Sequence, residues 1–204
     1  MDIPSKYIQE AVEQLASLPG VGRKSALRLV LNILKRSPAE IDRFSEAFTT
    51  MKANISYCKS CGNISDQEIC SICSNPKRNH SLICVVEDIR DIMAIESTGS
   101  YQGIYHVLGG VISPMEGIGP EDLNIDLLME KLEKGGVDEI IFGLSSTMEG
   151  DTTNFYLFKK IQPFIKNITT LSRGVSIGTE LHYADEITLG RSIIQRTPFR
   201  QSFD

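Results

Sequence analysis

The chain has no apolar run approaching the roughly eighteen residues that a membrane span needs, and its opening MDIPSKYIQE lacks the basic-then-apolar order of a secretory leader. A cytoplasmic address is therefore expected, with no membrane partner. There is no low-complexity tract and no internal repeat, so solenoid and fibrous architectures are excluded. Positive charge is scarce, since 21 Lys and Arg stand against 26 Asp and Glu for a net charge of −5. That sum speaks against a nucleic-acid partner until its distribution is read. Residues 1–60 hold nine basic side chains against six acidic ones, a net of +3, whereas residues 61–204 hold twelve against twenty, a net of −8. The basic excess is N-terminal. Five cysteines without a leader are not expected to form a disulfide framework, because the cytosol keeps thiols reduced.

What is present suffices for a globular protein: 204 residues with 41% hydrophobic content can bury a real core. Ile8, Val12 and Leu15 recur at helical spacing and the phase stops at Leu18-Pro19-Gly20. From Arg23 to Leu34 the set Ala26, Leu27, Val30, Ile33 and Leu34 lines one face of a second helix. A third, after Pro38, carries Ile41, Phe44, Phe48, Met51 and Ile55. After a short polar stretch the pattern changes: LICVVE (82–87), GIYHVL (103–108), DEIIFGL (138–144) and ITTL (168–171) read as strands. Helices are expected between them, to Gly99, from about Asp122 to Lys134, and over NFYLFKKIQPFI (154–165). This alternation predicts an α/β fold with βαβ units and a mostly parallel sheet.

The strongest chemical signal is Cys58-x2-Cys61-x8-Cys70-x2-Cys73, two CxxC pairs that can each grip one side of a tetrahedral ion. Four thiolates suit one structural Zn2+ per chain, because a closed sulfur shell leaves no position for water or substrate. Cys84 lies inside an apolar strand and reads as a core residue. His80, His106 and His182 stand singly and read as ordinary surface or core histidines. A second signal is Leu18-Pro19-Gly20-Val21-Gly22-Arg23-Lys24-Ser25-Ala26, a glycine turn leading into a helix start. Gly20 and Gly22 allow close approach of backbone to a phosphate, and Arg23, Lys24 and Arg28 add positive charge. The string resembles a helix-hairpin-helix motif, a family whose hairpins hold DNA phosphates without sequence preference.

A third constellation is acidic: Glu87 after LICVV, and Glu149 and Asp151 after DEIIFGL, at the strand ends where α/β sites form. It resembles the Toprim domain, in which a Glu and a DxD pair hold Mg2+ for phosphoryl chemistry. Here Glu149-Gly150-Asp151 stands in place of DxD, and no tyrosine nucleophile is evident. The segment carrying both acids is expected to be a loop tolerant of substitution. The acids are read as a partner surface or a weak metal site.

Helix-hairpin-helix, four-cysteine finger and Toprim, in that order, resemble the RecR family of recombination mediators over nearly the whole chain. The strings that carry the likeness are LPGVGRKSA, CSICSNPKR (70–78), ICVVED (83–88), GGVISPMEGIGPEDL (109–123) and GTELHYADEITLGRSI (178–193). One departure is GLSSTMEGDTT (143–153), where relatives carry an Asn-Pro-Thr turn before the acids. The resemblance implies a helix-hairpin-helix module over 1–57, a zinc finger over 58–73, a Toprim domain over 81–177, and a Walker-B-like segment and tail over 178–204. No phosphate loop GxxxxGK[ST] accompanies that last segment, so nucleotide hydrolysis is not implied. It further implies a non-enzymatic factor binding single- and double-stranded DNA, acting with RecO and RecF to load RecA. A homo-oligomer, either a dimer or a tetrameric ring with the tetramer favoured, follows from the same likeness. Two other readings stay open from the residues alone: a Mg2+-dependent Toprim nuclease or primase-like enzyme using Glu87, Glu149 and Asp151, and an interaction adaptor with no DNA role.

Overall fold

The computed structural model describes residues 3–196, which fall into two compact units, one through Ile55 and one from Ser56 onward. No helix among the described residues is long and apolar enough to cross a membrane.

The first unit is helical, with α1 Lys6–Ala16, α2 Arg23–Ile33 and α3 Pro38–Asn54. Val12 of α1 and Ala26 and Val30 of α2 are buried, with Ile8, Leu15, Val21 and Leu27 packed around them. The chain turns between α1 and α2 through Gly20, whose φ of 79° is one that a side chain resists. Ser37 starts α3 with a capping box, its N–H donating to Glu40 Oε2 at 2.9 Å, and Pro38 supplies the preset φ of a first turn. The apolar stripe expected on α3 is there, but α3 has no buried residue, and Phe44 and Phe48 stack edge-on while remaining exposed.

The second unit opens with a small antiparallel pair, β1 Ser56–Tyr57 and β2 Ile64–Ser65. A four-stranded sheet follows, in the order β4-β3-β5-β6: β3 Asn79–Val86, β4 Gly103–Val107, β5 Glu139–Phe142 and β6 Asn167–Thr170. All three pairings in it are parallel. Central β3 explains the uninterrupted ICVV run, since alternate side chains enter opposite cores. Ile83 and Val85 pack with Leu128, Leu132, Leu157 and Ile161, from α5 Ile125–Lys134 and α6 Met148–Ile161. Cys84 and Val86 pack on the other side with Tyr105, Val107 and Ile92 of α4 Ile89–Ser97. Cys84 is thus a core residue, its thiol pushed up to about 12 by burial. A final helix, α7 Glu186–Ile194, is capped by Asp185, which accepts the Thr188 N–H at 2.8 Å.

One expected boundary is corrected. α6 begins at Met148, six residues before the sequence suggests, because Thr147 accepts the Gly150 N–H at 3.1 Å and caps a helix there. Glu149 and Asp151 therefore sit in the first helical turn, where the macrodipole favours acids, and not in a loop. At its other end α6 stops at Ile161, just ahead of Pro163.

Candidate zinc centre and nucleic-acid interface

The four cysteines come together. The Sγ atoms of Cys58, Cys61, Cys70 and Cys73 all lie within 4.8 Å of one another, every residue is buried, and none is in a disulfide. The Cys61 and Cys70 sulfurs are 3.6 Å apart. Tetrahedral coordination with Zn–S bonds of about 2.3 Å sets sulfurs roughly 3.8 Å apart, so spacing and donor type both fit zinc. Two tight turns build the cage. In the first, Cys58 N–H donates to Asn63 O at 2.7 Å and Gly62 N–H to Cys58 O at 2.9 Å; in the second, Ser74 N–H donates to Cys70 O at 3.0 Å. Cys70 N–H also points at Cys58 Sγ, 3.3 Å away, the kind of donor that steadies a thiolate. The Cys73 thiol is held below its usual range, chiefly by hydrogen bonding from Cys61, then from Ser60, with the positive charge of Lys131 adding to it.

The finger is seated on the sheet. Val107 N–H, at the end of β4, donates to Cys61 O at 2.7 Å, and Ile72 packs against the thiol cluster and both sheet cores. Gly62 is required at this seat, because a Cβ would lie 2.9 Å from Val107 O and φ there is 73°. Beneath it His106 is buried, and its Nε2–H donates to Asn124 O at 2.8 Å. Burial, then the charge of Lys131, push its imidazole down to about 3, so it is neutral at physiological pH. Two atoms here were beyond sequence reasoning: His106 Nδ1 and Lys131 Nζ are both buried without a hydrogen-bond partner.

At the hairpin, Gly22 is the N-cap of α2 and offers no side chain to cap it. Among the described residues the amides of Arg23, Lys24 and Ser25 have no backbone acceptor. A Cβ at Gly20 or Gly22 would meet nothing within 4 Å, so the turn is open to an incoming group. Arg23, Lys24 and Arg28 are exposed around it, and Lys24 and Arg28 line one shallow groove with Asn32 and Lys35. Lys35 was not singled out from sequence, although its place three helical turns beyond Lys24 puts it on the same face.

The acids are not gathered. Among the described residues the four cysteines are the only group of three or more His, Cys, Asp and Glu able to share an ion. Glu87 directly follows β3 and lies beside Asp91, which accepts its N–H at 3.0 Å. Burial, then Asp91 and Asp88, hold the Glu87 carboxyl above its usual range. Asp151 is held by both guanidinium nitrogens of Arg173, with Arg191 of α7 at 3.7 Å, and its carboxyl is depressed by that pairing. A carboxylate clamped by two arginines is poorly placed for a cation, and Mg2+ at this position is not supported. Glu149 is exposed and forms no ion pair within the described residues. The tyrosines are structural: Tyr105 Oη–H donates to Glu96 Oε1 at 2.6 Å and Tyr101 Oη–H to Ile104 O at 2.8 Å, and burial raises both phenols.

A helical hairpin module, a four-thiolate finger and a parallel α/β domain on one chain define a modular class of protein built to bind, with no assembled acidic metal centre among the described residues. Four family models match: RecR helix-hairpin-helix at residues 8–52, RecR four-cysteine zinc finger at 55–75, Toprim at 81–172 and RecR C-terminal at 174–197. "Recombination protein RecR" of Flavobacterium johnsoniae is 57% identical over 203 residues, covering 100% of this chain and 98% of its own. The proteins of that name from Parabacteroides distasonis and Bacteroides thetaiotaomicron are 57% and 53% identical over 196 residues, in each case 96% of this chain and 94% and 96% of theirs. The chain belongs to the RecR family.

Proposed function

We propose that this protein is a DNA-binding mediator of recombinational repair that works by assembly and recruitment and not by catalysis. The observation that carries the reading is the open hairpin: uncapped amides at the start of α2 with Arg23, Lys24 and Arg28 exposed beside them, in a chain matched by RecR models at residues 8–52, 55–75 and 174–197 and by a Toprim model between them. Such a surface takes phosphates of single- or double-stranded DNA and reads no bases. One Zn2+ per chain, on Cys58, Cys61, Cys70 and Cys73, holds the finger. A few phosphate contacts bind weakly at physiological salt, so several linked copies, a tetrameric closed ring by preference, raise the effective concentration of hairpins along a strand. The exposed stripe of Phe44, Phe48 and Met51 on α3 favours such self-association. RecO and RecF are the proposed partners, met through the acidic Glu87 and Glu149 surface, and the cytoplasm is the proposed compartment.

The test is DNA binding by fluorescence anisotropy on purified protein across a salt series, with Mg2+ present. Binding that weakens steeply with salt and leaves every strand intact is expected. Salt-independent binding or strand cleavage overturns the reading.

A further inference from the structure

Lys131 has no evident reason to be where it is. It stands in the last turn of α5, as Lys134 does, but Lys134 is exposed whereas the Nζ of Lys131 is buried and has no hydrogen-bond partner. Among the described residues it forms no ion pair with a carboxylate. An ammonium taken out of water without a counter-charge is among the costliest arrangements a fold can contain. Burial pushes its ammonium below the usual range, and the sulfurs of Cys73, Cys61, Cys58 and Cys70, with Cys73 foremost, are the groups that act the other way. Its other polar neighbour, His106, is neutral and brings no compensating charge.

Four thiolates around Zn2+ carry a net charge of −2, and here they are buried; the Cys70 N–H aimed at Cys58 Sγ and the backbone donors at Asn63 and Cys73, toward Cys61 and Cys70, bring dipoles but no positive charge. Each unpaired charge explains the other. We infer that Lys131 is the counter-ion of the zinc–tetrathiolate centre, a positioning residue that touches no substrate or DNA and that fixes the affinity of the finger for its metal. This rests on zinc occupying the four-cysteine site. It also gives the finger a second tie to the α/β domain, electrostatic and routed through α5, beside the Cys61–Val107 hydrogen bond.

The experiment compares full-length wild type, Lys131→Met and Lys131→Arg by zinc content, by competition with a chromogenic chelator at pH 7, and by the sulfur-to-metal charge-transfer band after Co2+ substitution. Wild type is expected to hold one zinc, and Lys131→Met to bind it about 10- to 100-fold more weakly, the range for outer-shell partners of a metal. Lys131→Arg is expected to recover most of that loss, and the Co2+ band of Lys131→Met to move to lower energy as the thiolates lose their cation. Equal affinity in wild type and Lys131→Met, or Arg worse than Met, makes the residue a matter of packing and overturns the inference. If Lys131→Met does not fold, Lys131→Gln read against Lys131→Arg decides in the same way. A wild type that holds no zinc sinks the zinc reading itself, a result distinct from zinc bound equally by all three.

Discussion

The clamp on Asp151 makes its carboxylate a structural group. Arg173→Met should lower stability by about 1 kcal/mol, the upper end for exposed pairs, because the carboxylate is only partly covered. Its folded pKa is depressed, so the pair stabilises fully above the unfolded value of about 4 and is lost as pH falls through the lower folded one. Thermal unfolding between pH 6 and 3 should show wild type and Arg173→Met converging at the acid end, and added Mg2+ should leave the Tm of both unchanged. His106 works over a different window. Its folded value of about 3 lies below the ordinary 6.5, so the unfolded chain takes up a proton first and stability falls as pH drops from about 6.5, by roughly 1.4 kcal/mol per unit of depression. His106→Gln should flatten that slope in denaturant melts, and an unchanged slope would assign the acid sensitivity elsewhere.

At the scale of elements, Thr147→Ala removes the cap on α6 and should cost about 1 kcal/mol, read as a drop in Tm. No cost would mean that the first turn is held by the Asp151 clamp alone. This boundary also marks where sequence reading stopped. The stretch Ser145-Ser146-Thr147-Met148-Glu149-Gly150-Asp151 has turn composition and a glycine, so no apolar period announces a helix. Long, strongly patterned elements were legible: α1 and α2 through their apolar spacing, and β3 through a run that only a doubly covered strand tolerates. On α3 periodicity gave the helix but not its burial, because a stripe looks alike whether it meets this chain or another surface. The convergence of the cysteines was legible because both halves of the cage are local CxxC turns. Lys131 and His106 were not, being brought to the finger by α5 and β4 from 58 and 33 residues beyond Cys73. Nor was the Asp151–Arg173–Arg191 clamp, whose members are joined only by the fold of the chain.

For the whole molecule, the salt response of DNA binding is the quantity to follow. Lys24→Ala with Arg28→Ala should weaken binding about equally on unrelated sequences and reduce the slope of log K against log salt by roughly 0.7 per lost contact on single strands or 0.9 on duplex. The loss multiplies by the number of engaged hairpins, so light scattering and the slope should report the same copy number. Both side chains are exposed, and stability should change by no more than about 0.5 kcal/mol.

The strand order has a consequence in time. Central β3 must wait for β5, which begins 53 residues after β3 ends, before its second edge is covered, whereas α1 and α2 meet across a short turn. Helical hairpins close quickly and long-range parallel pairing is slow. On the ribosome the hairpin unit is therefore expected to be finished while LICVV still lies bare along one side, the most aggregation-prone moment in the life of the chain. Pulse-labelled hydrogen exchange during refolding should protect the α2 amides well before those of β3.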